Sequence, residues 1–128
     1  RSLDWVRKRL ETRGAFKMEV LAYKPANIAN RELVMEGEDM RVQVLTLGEI
    51  DCIPWHYHSE IKDAFVCLEG TLVVETKAPK NTFILEVGER CEVAPMVAHY
   101  VHGLDMHPAK FMILQGVGVY DNIPVGKP

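Results

Sequence analysis

The chain has 128 residues, the length of one domain, so we expect residues 1–128 to form a single domain. Hydrophobic residues make up 48% and charged residues 26%, a balance that disfavours a disordered, collagen-like or coiled-coil chain. Fifteen Lys and Arg against eighteen Asp and Glu give a net charge of −3, and the basic residues do not cluster with aromatic ones. Nucleic acid is therefore not an expected partner.

The cysteines and the lengths of the apolar runs predict the cellular compartment of the protein. Every apolar run is shorter than the roughly 18 residues that a membrane span needs, so we expect no membrane partner. Cys52, Cys67 and Cys91 form neither a CxxC pair nor an even-numbered disulfide framework. We interpret them as free thiols of a reducing compartment, which predicts a cytoplasmic protein.

The first element in the chain is a predicted short helix. Ser2 can cap it, Leu3, Val6 and Leu10 recur at helical spacing, and Gly14 suits the residue after its end.

From Lys17 onward the sequence predicts an all-β fold, because short apolar or alternating runs are separated by turn-forming residues. The predicted strands cover residues 18–23, 40–47, 64–68, 71–77, 82–87, 90–94 and 110–116. Val42 and Val44 lie on one face of their strand and Leu45 on the other, so we expect both faces to be partly covered.

Two of the five histidines, His56 and His58, are separated by one residue. If this segment is extended, both imidazoles point to the same side and can bind one metal ion. Two exposed histidines on a surface strand would give the same pattern, so the surrounding spacing matters.

That spacing forms two blocks. Gly48 precedes the histidine pair, and Asp63 and Gly70 follow it; Gly88 then begins a second block that ends at His99. This arrangement resembles the two signature motifs of the cupin superfamily, and the resemblance covers about residues 48–103. It implies a single cupin domain, a jelly-roll-like β-barrel that holds a metal ion near its middle through three histidines and a carboxylate.

Carried over residue by residue, the resemblance assigns the metal to His56, His58, Asp63 and His99. The acid of the first motif is usually Glu; here it is Asp63, one methylene shorter, and Glu60 is the alternative source of the carboxylate. The second motif also departs from the family pattern, at the positions Ala94, Pro95, Met96 and Gly103.

The implied cofactor is a divalent transition metal, with Fe, Mn, Ni and Zn as candidates, since imidazole suits all of them and a hard carboxylate favours Fe or Mn over Cu. An octahedral ion would keep two open positions for substrate and dioxygen or water, whereas a tetrahedral zinc ion would be closed. The resemblance therefore implies a metal-dependent enzyme of oxygenase or isomerase/lyase type acting on a small organic molecule. Two alternatives remain: a non-catalytic module that binds a metal or small molecule, and a barrel that has lost its ion.

Alternation along the strands also predicts the walls of the site. If Asp63 faces inward, Phe65 and Cys67 do so too and line a substrate pocket. Trp55 and Tyr57 then lie on an outer face, where the N-terminal helix or a second subunit could cover them, so we expect a homodimer. His102 and His107 occupy no motif position and are interpreted as residues outside the site.

Overall fold

The computed structural model describes residues 27–126. In this range it contains β1 (Asn30–Glu36), β2 (Met40–Leu47), β3 (Cys52–Tyr57), β4 (Lys62–Glu69), β5 (Leu72–Thr76), β6 (Asn81–Leu85), β7 (Arg90–Val93), β8 (His99–Gly103), β9 (Ala109–Gly116) and β10 (Ile123–Pro124). A short 3-10 helix, Leu104–Met106, joins β8 to β9. The predicted helix from Ser2 to Gly14 and the predicted strand at 18–23 lie outside the described residues. Among residues 27–126, no helix is long and apolar enough to span a bilayer.

The strands form two five-stranded antiparallel sheets, and this confirms the predicted all-β, jelly-roll-like fold. The first sheet has the order β1-β2-β9-β4-β7 and the second the order β10-β3-β8-β5-β6. Side chains of both sheets meet in one core, which includes Leu47, Phe65 and Phe111 from the first sheet and Leu72, Val74 and Val101 from the second. The two sheets therefore enclose a single hydrophobic interior.

The predicted strands within the described range are confirmed, with ends that differ by at most two residues. The strand predicted at 40–47 coincides with β2. Its residues Val42, Val44 and Leu45 are all buried, so both of its faces are covered, as expected. The predicted strands did not include β1, β8 or β10, and the segment of β3 was considered only as a possible extended stretch. All seven residues of β1 are exposed, so no buried face repeats along it.

The closing glycine of the first motif has a clear structural reason. Gly70 has φ 75°, and a Cβ there would lie 2.6 Å from the carbonyl oxygen of Pro108. Only glycine adopts this conformation without strain and leaves room for the opposing backbone.

Trp55 and Tyr57 are half-buried, and their neighbours in sequence, His56 and His58, are buried. The Trp55 ring stacks on Tyr100 with ring centroids 5.6 Å apart, and Lys77 Nζ lies 4.6 Å from the centroid of the Trp55 ring. This chain therefore covers part of Trp55 itself. The expected homodimer stays a prediction.

Candidate metal centre

The four residues assigned to the metal come together from both sheets. His56 in β3 lies directly opposite His99 in β8, and His58 follows the end of β3, on the same side as His56. Asp63 reaches the cluster from β4, in the facing sheet. One ligand atom from each residue lies within 4.8 Å of those of the other three, and all four residues are buried. Segments far apart in the sequence thus converge on one point inside the barrel.

The carboxylate of Asp63 lies at the centre of this group. Its Oδ2 is 3.0 Å from His58 Nε2 and 2.9 Å from His99 Nε2. The shorter side chain of Asp63 therefore reaches the imidazoles directly. Glu60 lies elsewhere: its side chain is exposed and its Oε1 accepts a hydrogen bond from the N–H of Val119, at 3.3 Å. Of the two carboxylates considered from the sequence, the structure places Asp63 in the cluster.

The other ring nitrogen of each imidazole is held by a backbone carbonyl. The Nδ1 atoms of His56, His58 and His99 lie 2.8 Å from the oxygen of Pro54, 2.5 Å from that of Asp121 and 2.9 Å from that of Val97, respectively. Because a carbonyl oxygen only accepts hydrogen bonds, each Nδ1 carries a proton and donates it. The lone pair of each neutral imidazole is then on Nε2, the atom that belongs to the cluster. Metal-binding histidines are commonly oriented in this way.

This arrangement requires a positive species at the centre. With both Nδ1 atoms protonated, the Nε2 lone pairs of His58 and His99 face the oxygen of an ionised Asp63, and lone pairs repel one another. Either a second proton on an imidazole or a bound cation removes the repulsion. A metal ion meets this requirement while leaving the imidazoles neutral, so the donor set fits such an ion.

The distances also fit a metal shell. Two donors about 2.1 Å from an ion and at right angles to each other are separated by about 3.0 Å. The two contacts of Asp63 Oδ2, at 2.9 and 3.0 Å, match this separation. A tetrahedral angle would require about 3.4 Å at the same bond length. The same 2.9 to 3.0 Å is an ordinary hydrogen-bond distance, so these contacts fit either a shared ion or a shared proton.

Burial and neighbouring groups both shift the pKa values of the clustered residues. Burial, followed by the nearby His99, lowers the pKa of His56 to about 4. Burial also lowers the pKa of His58, but the hydrogen bond and charge of Asp63 and the Asp121 carbonyl outweigh it and raise that pKa. For Asp63, burial raises the pKa, but the hydrogen bonds of His58 and His99 outweigh it and hold the pKa well below its ordinary value. Without a metal ion, the cluster thus keeps Asp63 ionised and His56 neutral and favours a second proton on His58; a bound ion would displace that proton.

The turn before His99 departs from the family pattern at the place where the backbone needs glycine. Met96 has φ 70°, and its N–H donates a hydrogen bond to the His58 carbonyl at 2.7 Å. A left-handed conformation is costly for methionine. The hydrogen bond of Met96 connects the turn before His99 to the backbone at His58.

Sequence reasoning missed two residues that support the site. Gln115 in β9 is buried, and its Nε2 donates a hydrogen bond to Asp63 Oδ1 at 3.0 Å. Asp121 supplies the carbonyl that accepts from His58, and its carboxylate accepts hydrogen bonds from the N–H and hydroxyl of Ser59 at 2.9 and 2.5 Å. Both lie more than 50 positions from their partners, so no local spacing indicates them.

The remaining predicted residues are placed as follows. Phe65 and Cys67 face the interior with Asp63 and are fully buried. The Phe65 ring lies 6.1 Å from the His99 ring, whereas the Cys67 thiol approaches the carbonyl of Gly70, 3.4 Å away. Their role in substrate binding stays a prediction. His102 pairs with Glu75 at 2.7 Å and His107 is exposed, so neither joins the cluster.

Comparison with known proteins identifies the fold. No family model and no curated protein matches the sequence. A Klebsiella pneumoniae protein with a double-stranded β-helix domain superposes with a TM-score of 0.65 at 17% identity, over 83% of this chain and 84% of its own. A cupin-like protein of Thermotoga maritima gives 0.64 at 16% identity, over 76% and 75%. A recombinant oxalate oxidase in complex with glycolate gives 0.59 at 11% identity, over 67% of this chain and 46% of that one. These likenesses show that the chain has the cupin, or double-stranded β-helix, fold.

Proposed function

We propose that this cupin-fold chain is a divalent-metal-dependent enzyme that acts on a small organic molecule bound beside His56, His58, Asp63 and His99. One observation carries the proposal: three Nε2 atoms and one carboxylate converge in a buried cluster, with every Nδ1 fixed by a carbonyl. This donor set suits Fe, Mn, Ni or Zn, and the hard carboxylate favours Fe or Mn. An octahedral ion held by these four donors would have two positions left for other ligands.

The side chains have distinct roles in this proposal. His56, His58 and His99 hold the ion through neutral nitrogens, and Asp63 offsets part of its charge. Gln115 fixes the orientation of Asp63, and burial of the cluster keeps bulk water away from it. The bound ion would supply Lewis-acid polarisation of a carbonyl or hydroxyl group, or activation of dioxygen.

Oxygen chemistry is the first reaction to test. Among the proteins with this fold, the oxalate oxidase is named for an oxidation. At 11% identity the likeness concerns the fold alone, so an isomerase or lyase reaction is the second possibility within the same proposal.

A non-catalytic binding module is the alternative function, and the depth of the cluster favours it. His56 is 7% exposed, and His58, Asp63 and His99 are 2% exposed or less. Four buried donors would fill the shell of a tetrahedral ion such as zinc and leave no position for a substrate.

Metal analysis of protein purified without chelator or a histidine tag tests the metal site. We expect about one ion per chain in the wild type and a loss of the ion in the His99→Gln variant. His102→Gln is the matched control, because His102 lies on the same strand and outside the cluster. Equal, substoichiometric metal in the wild type and His99→Gln would contradict the proposal.

Turnover separates the enzyme from the binding module. The metal-loaded protein, with Fe(II) or Mn(II), is assayed in air against a catechol, a diol and a β-diketone while oxygen uptake and substrate loss are recorded. Consumption that is absent from His99→Gln supports the enzyme. A fully loaded protein that consumes nothing favours the binding module.

A further inference from the structure

A small pocket near the metal cluster is lined in part by Arg41, a residue to which the proposed function assigns no role. The pocket has a volume of about 100 Å³, and its lining includes Arg41, Ile61, Gln115 and Tyr120. Gln115 connects it to the cluster through the hydrogen bond to Asp63, and the Tyr120 ring lies 5.3 Å from the His58 ring. Gln115 and Tyr120 therefore lie between this pocket and two of the metal ligands, Asp63 and His58.

The guanidinium of Arg41 is held in a fixed orientation. Its Nε and Nη2 both donate to Gln115 Oε1, at 3.3 and 2.8 Å. The Tyr120 ring packs against it, with the guanidinium carbon 4.5 Å from the ring centroid. An arginine fixed in this way loses little conformational entropy when it binds a ligand.

The same guanidinium has hydrogen-bonding capacity left. Arginine has five N–H donors. The two hydrogen bonds to Gln115 use two of them, and within residues 27–126 no carboxylate forms an ion pair with Arg41. Among residues 27–126 the other three N–H donors of Arg41 make no hydrogen bond, and two of them suffice for the paired hydrogen bonds by which arginine binds a carboxylate.

Nearby charges and the size of the pocket limit which anion fits. The exposed residues Glu36 and Glu38 also line the pocket and oppose a ligand with several negative charges. The pocket is smaller than the roughly 300 to 1,000 Å³ of drug-sized sites. These features favour a small molecule with a single carboxylate over a phosphate dianion.

We propose that Arg41 binds the carboxylate of the small molecule that this protein acts on, which makes the substrate a small organic acid. This inference rests on the proposed function, since it places the rest of the molecule toward the metal ligands. Arg41 is then a specificity-determining residue, and Gln115 links the group that binds the carboxylate to the group that binds the metal.

The test is calorimetric titration of sodium pyruvate, with acetamide and inorganic phosphate as comparison ligands, into metal-free and metal-loaded protein. We expect pyruvate to bind both forms and to bind more tightly than phosphate, with no detectable binding of acetamide. Arg41→Met should weaken pyruvate binding at least about tenfold, because a charge-assisted pair of hydrogen bonds is lost. Glu38→Gln is the control of opposite sign and should strengthen binding about two- to threefold by removing a negative charge.

The outcomes separate this inference from the proposed function, because metal content and circular dichroism are measured on the same samples. Pyruvate binding that is unchanged in a folded Arg41→Met variant overturns the inference, as does tighter binding of phosphate than of pyruvate. If metal binds in stoichiometric amount but pyruvate does not bind, the inference fails and the proposed function stands. If pyruvate binds through Arg41 but no variant holds metal, the proposed function fails and the carboxylate site stands.

Discussion

The interior of the barrel has two ends that differ in chemistry although the same strands build both. Along β4, inward-facing Asp63 is followed by Phe65 and Cys67, and along β9, Phe111 and Ile113 precede Gln115. The polar end contains the metal cluster with Arg41 and Gln115, which lie in one cross-strand row with Asp63. The apolar end contains the core side chains from Phe65 and Phe111 to Leu72 and Val101.

The difference separates the residues that stabilise the fold from the residues that bind a ligand. At the apolar end, close packing of side chains supplies stability and needs no directional partner. At the polar end, each buried group has a defined partner, and no buried side-chain nitrogen or oxygen in the described part of the chain lacks one. Changes at the apolar end should therefore alter stability, and changes at the polar end should alter ligand binding.

The largest expected effect is the loss of a side chain from the apolar end. Phe111 is fully buried, with its ring 5.8 Å from that of Phe65. Phe111→Ala should lower the free energy of unfolding by about 3 to 5 kcal/mol, measured by urea denaturation, because it leaves a cavity. The metal content per folded chain should not change. Leu33→Ala, at a 55% exposed position, is the control and should cost under about 0.5 kcal/mol. Similar losses in the two variants would contradict the division between the ends.

The second prediction concerns pH and the polar end in metal-free protein. The pKa of His56 is lowered to about 4 in the folded chain, against 6.5 for the ordinary group. Between these values the unfolded chain binds a proton at this position that the folded chain does not bind. Stability should therefore fall as the pH falls from 6.5 to about 4, by up to about 3 kcal/mol.

Urea denaturation of chelator-treated protein at several pH values measures this loss. The His56→Gln variant should lose less stability over the same window, whereas the control His107→Gln, at an exposed position, should match the wild type. The raised pKa of His58 acts on stability above pH 6.5, and the lowered pKa of Asp63 acts below its ordinary value of 3.8. An identical pH dependence in His56→Gln and the wild type would refute the assignment.

The third prediction compares two buried glutamines, Gln115 at the polar end and Gln43 in the next cross-strand row on the same face. Gln115→Leu removes the hydrogen bond that orients Asp63, so the affinity for Mn(II) should fall about 10- to 100-fold in a calorimetric titration. Gln43→Leu is the matched control, since Gln43 is equally buried, on the neighbouring strand β2, and bonded to Arg31 instead of Asp63. Equal affinities in the two variants would show that Gln115 has no part in orienting the ligand.

The smallest expected effect is a gain in stability at the turn before His99. Met96→Gly relieves the left-handed backbone and should raise the free energy of unfolding by about 0.5 to 1 kcal/mol, after the entropy cost of glycine is subtracted. Val87→Gly, at an equally exposed position without a positive φ, should lower it instead. A loss of stability in Met96→Gly would mean that the methionine side chain contributes packing at this turn.

The sequence was sufficient for the fold class and for the four clustered residues, because both depend on local spacing. Alternation along a strand put His56 and His58 on one side, and the resemblance of the two spaced motifs to those of the cupin superfamily added Asp63 and His99. Gln115, Arg41 and the Asp121 carbonyl could not be found this way. Each reaches its partner through pairing of strands or packing of loops across more than 50 positions, which single-sequence periodicity does not report.

The most direct test of the central claim is a crystal structure of the protein grown with Mn(II), with anomalous scattering measured for manganese. We predict one anomalous peak inside the barrel, about 2.0 to 2.3 Å from the Nε2 atoms of His56, His58 and His99 and from a carboxylate oxygen of Asp63. A structure without a peak there, in which Asp63 accepts hydrogen bonds from two doubly protonated imidazoles, would contradict the claim.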